Sequence, residues 1–216
     1  MARRKLTNVL ALAVLVMLSE RSLHPYEIAQ LLKSRGKDQS IKINYGSLYT
    51  VIQNLEKHRF IEEVGTERDG RRPERTVYGI TPAGDAEMRD WLAELIGTRE
   101  KEYPRFESAL ALVGPLHPDE VTRLLRQRLT ALDAEVAAAR AGLAELQGLL
   151  PRLFLLEVEY AVAMAVAEAD WVRALLTELT DGTLDGLAGW RSYHETGQAP
   201  EEWTDLEERI QEQQRG

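Results

Sequence analysis

The sequence of 216 residues contains no cysteine and carries none of the motifs that mark common catalytic sites. Without cysteine there is no disulfide framework, no thiolate metal site and no cysteine nucleophile, which fits a reducing cytoplasm. No nucleophile elbow, phosphate loop, dinucleotide fingerprint or pair of catalytic carboxylates occurs. The histidines are not paired at metal-ligand spacing, since His194-Glu195 lacks the second histidine of a zinc-protease helix. The sequence therefore predicts no catalytic residue, no metal and no cofactor.

Long apolar runs are also missing. The run from Val9 to Leu18 is shorter than the about 20 apolar residues that cross a bilayer. It follows Arg3-Arg4-Lys5 and so imitates a signal peptide, but the small-residue cleavage site of such peptides is absent. We therefore expect a buried first helix, no membrane partner and a cytoplasmic location.

The charge is divided unevenly along the chain. Residues 1–75 carry 14 Lys and Arg against 9 Asp and Glu, a net charge of +5, whereas residues 99–216 carry 12 against 22, a net charge of −10. Only the first part has the sign expected of a surface that binds phosphates, and the second part would be repelled by nucleic acid. We therefore expect two domains, residues 1–98 and residues 99–216, of which only the first binds nucleic acid.

The first domain has the signals of three helices, a hairpin and a fourth helix. Asn44 is an N-cap residue, Thr81-Pro82 combines an N-cap with a proline at the first helical position, and Asp69-Gly70 is a hairpin turn signal. The predicted helices are Leu6–Ser19, Pro25–Lys33, Tyr45–His58 and Pro82 to about Ile96, and the predicted strands are Ile61–Thr66 and Arg75–Thr81.

The third helix is amphipathic. Leu48, Val51 or Ile52, and Leu55 recur at helical spacing and should face the core. A major groove about 12 Å wide admits one helix, and an adjoining hairpin can lay cations along the phosphates. The polar outward side of this helix, followed by an arginine-tipped hairpin, therefore predicts a winged helix-turn-helix. The outward residues are Ser47, Thr50, Gln53, Asn54 and Lys57.

The second domain has no convincing strand signals. It contains a short helix, Glu107–Val113, and two long helices. One long helix begins at Pro118 and the other runs from Pro151 to Asp181, and each has apolar residues at helical spacing along one side. Together the long helices predict an antiparallel helical hairpin, so the fold class is mostly α. Whether the tail after residue 183 is ordered stays open, with a short helix around Trp203 to Ile210 as one alternative.

Six short segments of the first domain form a pattern in order and spacing. They are His24-Pro25-Tyr26-Glu27, Tyr45-Gly46-Ser47-Leu48-Tyr49, Leu55-Glu56-Lys57, Phe60-Ile61-Glu62, Gly70-Arg71-Arg72-Pro73 and Val77-Tyr78-Gly79-Ile80-Thr81-Pro82-Ala83-Gly84. In this arrangement, residues 8–96 resemble the PadR family of bacterial transcriptional regulators. The resemblance implies a homodimer, joined by the C-terminal domain, that binds a pseudo-palindromic operator in double-stranded DNA. It also implies a repressor, rather than an activator, that a small-molecule effector releases.

The predicted DNA contacts lie at the start of the second helix, along the recognition helix at residues 45–58 and in the wing at residues 67–73. Tyr26 and Tyr49 could instead pack in the core, and Lys42 and Lys57 could be ordinary solvated lysines. The hairpin-tip arginines could form a solvated turn, although their place after a recognition helix favours DNA contact. The predicted residues are Tyr26, Lys42, Asn44, Tyr45, Gly46, Ser47, Tyr49, Thr50, Gln53, Asn54, Lys57, Arg68, Arg71 and Arg72.

Aromatic residues of the second domain present two alternatives. Phe154, Tyr160, Trp171 and Trp190 could line an effector pocket, or they could fill a core or a dimer seam, as aromatic residues at helical spacing more often do. Two other functional classes also stay open. A winged helix can serve as a protein-interaction adaptor, and it can be an appendage of an enzyme. The positive first domain disfavours the adaptor, and the lack of a catalytic constellation in residues 99–216 disfavours the enzyme.

Overall fold

The computed structural model describes residues 6–67, 75–200 and 203. The chain divides into two compact units, Met1–Lys101 and Glu102–Gly216. The first contains helices α1 (Val9–Glu20), α2 (Pro25–Ser34), α3 (Tyr45–Lys57) and α4 (Pro82–Gly97), with strands β1 (Ile61–Glu67) and β2 (Arg75–Ile80). The second contains α5 (Arg105–Ala111), α6 (Pro118–Gln147), α7 (Leu156–Asp181) and α8 (Leu187–Thr196).

Helix α1 is the centre of the first unit. It is apolar on all sides, and it packs against α2, α3, α4 and β2, as expected for a helix with no polar face. The prediction that it begins at Leu6 is wrong, because the Asn8 side chain accepts a hydrogen bond from the Leu10 amide at 3.0 Å and caps the helix at Val9. Its buried residues are Leu10, Ala11, Leu12, Ala13, Val14, Leu15, Met17 and Leu18.

Helices α2 and α3 cover α1 with one apolar side each. Pro25 begins α2 as predicted, and His24 caps it, because its Nδ1 accepts from the Tyr26 amide at 3.1 Å while its own amide donates to Glu27. The Asn44 side chain caps α3 by accepting from the Gly46 amide at 2.9 Å. The buried side chains of the two helices are Ile28, Ala29 and Leu32, and Leu48, Val51, Ile52 and Leu55.

Strands β1 and β2 form the predicted antiparallel hairpin. Ile61 pairs with Ile80, and the register shifts between Glu63 and Gly65. A β-bridge between Leu23 and Tyr78 joins the segment before α2 to the hairpin. The predicted turn at residues 69–70 lies outside the described residues. The hairpin is thus attached to the helical core through β2, which fixes its base.

The second unit is built on the predicted hairpin of α6 and α7. Its core comprises apolar side chains from α6, α7 and α8. The prediction that the second long helix begins at Pro151 is wrong, because Pro151 precedes a short 3₁₀ turn and α7 begins only at Leu156. Helix α8 follows two glycines with positive φ, which separate it from α7, and it was not predicted. The tail helix predicted around Trp203 to Ile210 lies, apart from Trp203, outside the described residues.

Among the described helices, none combines the length and the apolar character that a membrane crossing requires.

Candidate nucleic-acid interface

Helix α3 presents a polar outer side above a fully buried inner side. Leu48 and Leu55 on the inner side are 0% exposed, and they fix the helix against the core of the first unit. The predicted division of this helix into two sides is therefore confirmed. The exposed residues of the outer side are Gly46, Ser47, Tyr49, Thr50, Gln53, Asn54 and Lys57.

The two tyrosines that could have packed in the core do not do so. Tyr49 is 51% exposed on α3, and Tyr26 is 45% exposed in the first turn of α2. For Tyr49, this exposure lets the ring or the hydroxyl group meet a phosphate or a base. Lys42 is also exposed, in the segment that leads into α3. The packing alternative for Tyr26 and Tyr49 is thus wrong, and their contact with DNA stays a prediction.

Local hydrogen bonds fix the first turn of α3. The carbonyl oxygen of the Asn44 side chain is occupied by the Gly46 amide, so its NH₂ group is the part left to donate outward. The Thr50 hydroxyl donates to the Gly46 carbonyl at 3.2 Å and keeps its lone pairs as acceptors. The side chain of Tyr45 lies outside the described part of the chain. This end of the helix therefore offers both donors and acceptors, as direct contact with base edges requires.

A groove lies between α3 and the segment that begins α1. Its volume is about 620 Å³. Ser47 and Asn54 belong to one edge of the exposed arc of α3, since a helix turns by about 100° per residue, whereas Tyr49 lies on the other edge. The lining residues are Leu6, Thr7, Asn8, Ala11, Asn44, Gly46, Ser47, Thr50, Val51 and Asn54.

Thr7 and Asn8 were not among the predicted site residues. A first helix beginning at Leu6 would place both inside the helix, whereas they precede it and line the groove. Asparagine directly before an apolar run is itself an N-cap signal, so the sequence contained the information that places Asn8.

The wing is described only at its base. Its predicted contact residues Arg68, Arg71 and Arg72 lie outside the described residues, and their role stays a prediction. At the base, burial raises the pKa of Tyr78, and the carboxylates of Glu56 and Glu63 add to this effect. Tyr78 is thus a neutral phenol near neutral pH and adds no charge beside the wing.

In the second unit, the four aromatic residues predicted as a pocket occupy different environments. The indole N–H of Trp190 donates to the Gly114 carbonyl at 3.1 Å. Trp190 also lines a cavity of about 260 Å³, and the other three aromatic residues do not line that cavity. Phe154 and Tyr160 are exposed. This cavity therefore does not bring the four residues together, and a pocket made of all four stays a prediction.

Trp171 has a neighbourhood that the sequence did not reveal. Its ring meets the edge of the Phe106 ring, with centroids 6.0 Å apart. The guanidinium carbon of Arg128 lies 3.7 Å from the centroid of Phe106, and the Arg128 Nε donates to Glu168 at 2.6 Å. The result is two aromatic rings beside a guanidinium group that is also hydrogen-bonded to a carboxylate.

Three helices, a hairpin paired to the core and an exposed polar third helix define the first unit as a winged helix-turn-helix. Residues 14–90 match the sequence model of the transcriptional regulator PadR-like family. The chain therefore contains a PadR-like domain over residues 14–90.

Several solved structures have a similar fold. The chain is 21% identical to Bacillus subtilis PadR in complex with operator DNA, with a TM-score of 0.66 over 79% of this chain and 99% of that one. It is 18% identical to Bacillus subtilis PadR in complex with p-coumaric acid, with a TM-score of 0.61 over 80% and 96%. The Vibrio cholerae virulence activator AphA is 17% identical, with a TM-score of 0.57 over 80% and 98%. A search of curated protein sequences finds no match.

Proposed function

We propose that the protein is a cytoplasmic, homodimeric transcriptional repressor that binds double-stranded DNA through α3 and the wing, and that it is not an enzyme. The observation that carries this proposal is the exposed polar side of α3 above a buried apolar side, followed by a paired hairpin. The PadR-like domain supports it, since that family consists of transcriptional regulators. The net charge of +5 over residues 1–75 gives this part of the chain the sign that attracts phosphates.

In this proposal, affinity and specificity come from different residues. Lys57, Lys42 and the wing arginines contact phosphates, which supplies most of the affinity and makes it depend on salt. Base edges are selected by the outward residues of α3. A dimer places two copies of α3 in successive major grooves, about 34 Å apart along the DNA, and the operator is therefore pseudo-palindromic.

Two substitutions on α3 should separate these roles. Gln53→Ala should reduce discrimination at one base pair by about 1–3 kcal/mol, because it removes a side chain able to bond a base edge. Lys57→Ala should weaken binding to all sequences alike and lower the slope of log affinity against log salt by about 1 per contact. Both are measured by fluorescence anisotropy on the duplex immediately upstream of the protein's own coding sequence, over a salt series.

The control is Arg126→Ala, which removes an exposed cation from α6 and should leave both quantities unchanged. If the wild-type protein shows no salt-dependent binding preference for the upstream duplex over random-sequence DNA, the regulator proposal fails. In that case a role as a protein-interaction adaptor becomes the better interpretation of the winged-helix domain.

An exposed apolar row on α7 supports the homodimer. Leu156, Tyr160, Met164 and Trp171 follow one another at intervals of four, four and seven residues, which places them on one side of the helix. A contiguous apolar surface of this kind is uncommon on a monomer and typical of an interface. We therefore assign this row to contact with the second copy.

We further propose that the effector is an aromatic carboxylate bound beside Trp171. Phe106 and Trp171 offer ring edges and faces to an aromatic group, and the Arg128 guanidinium can exchange Glu168 for the carboxylate of a ligand. The structure of Bacillus subtilis PadR with p-coumaric acid makes that acid the natural first probe. Of the four predicted pocket residues, this proposal retains Trp171.

The effector site predicts a preference for the acid over its ester. p-Coumaric acid should raise the melting temperature and release the upstream duplex, and it should bind at least about tenfold more tightly than its methyl ester, because only the acid makes a charge-assisted bond to Arg128. Arg128→Gln should abolish this preference, whereas Arg126→Gln on the same helix should keep it. Equal responses of the wild-type protein to acid and ester would exclude the assignment and leave the DNA-binding proposal intact.

A further inference from the structure

The groove beside α3 has two walls that come from distant parts of the sequence. Thr7 and Asn8 form one wall, and Ser47, Thr50 and Asn54 of α3 form the other. The second wall belongs to the surface proposed to contact DNA. Anything that lies against this edge of α3 therefore also meets the residues that precede α1.

The polar side chains of the first wall suit a ligand that accepts hydrogen bonds. The Asn8 side-chain oxygen is occupied by the Leu10 amide, which leaves the Asn8 NH₂ group as a donor. Asn44 across the groove is held in the same way by the Gly46 amide. Phosphate oxygens only accept hydrogen bonds, and asparagine, serine and threonine are frequent phosphate contacts in protein–DNA complexes.

The described lining of the groove contains no charged group that would repel a phosphate. Among the described residues that line it, none is acidic. In the sequence, Arg3, Arg4 and Lys5 directly precede Leu6, which lines the groove. Along the sequence, the chain thus carries three positive charges directly before Leu6, the sign that attracts phosphates.

We propose that the DNA interface extends across this groove, and that Thr7 and Asn8 contact a backbone phosphate of the duplex whose bases α3 contacts. This inference rests on the proposed function. It adds a part of the chain that lies outside both the recognition helix and the wing. A phosphate contact fixes the position of a recognition helix on the duplex, although it does not itself distinguish one base from another. In this proposal the groove therefore helps to position α3 on the DNA.

The test is Asn8→Asp, which changes the contact while preserving the helix cap. Aspartate keeps an oxygen that can accept from the Leu10 amide, and it caps helices as well as asparagine does. It replaces the NH₂ donor with a negatively charged oxygen facing the phosphate. Binding to the upstream duplex should become at least about tenfold weaker, with the melting temperature unchanged or raised.

Two further variants complete the experiment. Asn8→Ser keeps the cap and adds no charge, and it should weaken binding by about threefold or more because the amide donor is gone. Gln30→Glu makes the same amide-to-acid change at an exposed position of α2 that does not line the groove, and it should change binding by less than about twofold.

The outcomes separate this inference from the function on which it rests. If folded Asn8→Asp and Asn8→Ser bind the duplex as tightly as the wild-type protein, the phosphate contact is wrong and the regulator proposal stands. If Gln30→Glu weakens binding as much as Asn8→Asp does, the effect is one of net charge and the contact is again wrong. If the wild-type protein itself does not prefer the upstream duplex, the proposed function fails and the contact fails with it.

Discussion

Replacing Gly84 with alanine is expected to destabilise the first unit by about 3 kcal/mol or more, because the added methyl group has no space. A Cβ at Gly84 would lie 2.0 Å from the backbone oxygen of Phe60. That carbonyl cannot easily turn away, since it also accepts a hydrogen bond from the Thr81 amide at 3.0 Å. Helix α4 would have to move outward and lose its contacts with α1.

The loss should extend to the hydrogen bonds that begin α4. The Thr81 hydroxyl donates to the Arg59 carbonyl at 2.8 Å and accepts from the Gly84 amide at 3.1 Å, so it joins the segment that follows α3 to the start of α4. Displacing Gly84 breaks this link. For a unit of about 100 residues, a loss of about 3 kcal/mol lowers the melting temperature by about 12 °C or more.

The matched control is Gly97→Ala at the other end of α4. A Cβ there meets no atom within 4 Å, so alanine should be neutral or slightly stabilising. Thermal unfolding followed by circular dichroism gives the stability of both variants, and hydrogen exchange of α1 and α4 peptides shows which unit is affected. Equal melting temperatures for the two variants would show that the contact between Gly84 and Phe60 is not as close as described.

The recognition helix was predictable from the sequence because its information is local. Leu48 and Leu55 repeat at helical spacing, and Asn44 is a common N-cap residue, so the buried side, the exposed side and the start of α3 all follow from neighbouring residues. The same holds for Thr81, which caps α4 as predicted. Short-range periodicity and capping were sufficient for these elements.

The features that were missed depend on contacts between distant residues. Asn8 and Asn54 line one groove although they are far apart in the sequence. The grouping of Phe106 with Arg128 and Trp171 joins three helices, and no spacing along the chain indicates it. Helix α8 was missed because it is short and its burial depends on contacts with the rest of the second unit. Packing, and not local propensity, decides each of these.

A charge in the apolar row of α7 is expected to have the largest effect on DNA binding. Met164 is 53% exposed in the middle of the row, between Tyr160 and Trp171. Met164→Glu would place a carboxylate where the second copy is proposed to pack, and an unpaired charge is costly to bury. The protein should therefore become monomeric at micromolar concentration, as measured by analytical ultracentrifugation, while each chain remains folded because Met164 is not part of the core.

The loss of the dimer should lower the affinity for DNA, although the substitution lies in the second unit and not in the winged helix. Two linked copies of α3 bind two half-sites with a gain of about 10²–10⁴ in affinity over one copy, and the monomer loses that gain. Binding to a duplex with a single half-site should change little, because each first unit is unaltered. This difference between full site and half-site distinguishes loss of the dimer from damage to the recognition helix.

Thr177→Glu is the matched control for this prediction. Thr177 is exposed on the same helix but lies off the apolar row, so a carboxylate there should leave both the dimer and the DNA affinity unchanged. A Met164→Glu protein that remains dimeric would show that this row of α7 is not the interface. A protein that becomes monomeric but keeps its full affinity for the complete site would show instead that one copy of the winged helix is sufficient for DNA binding.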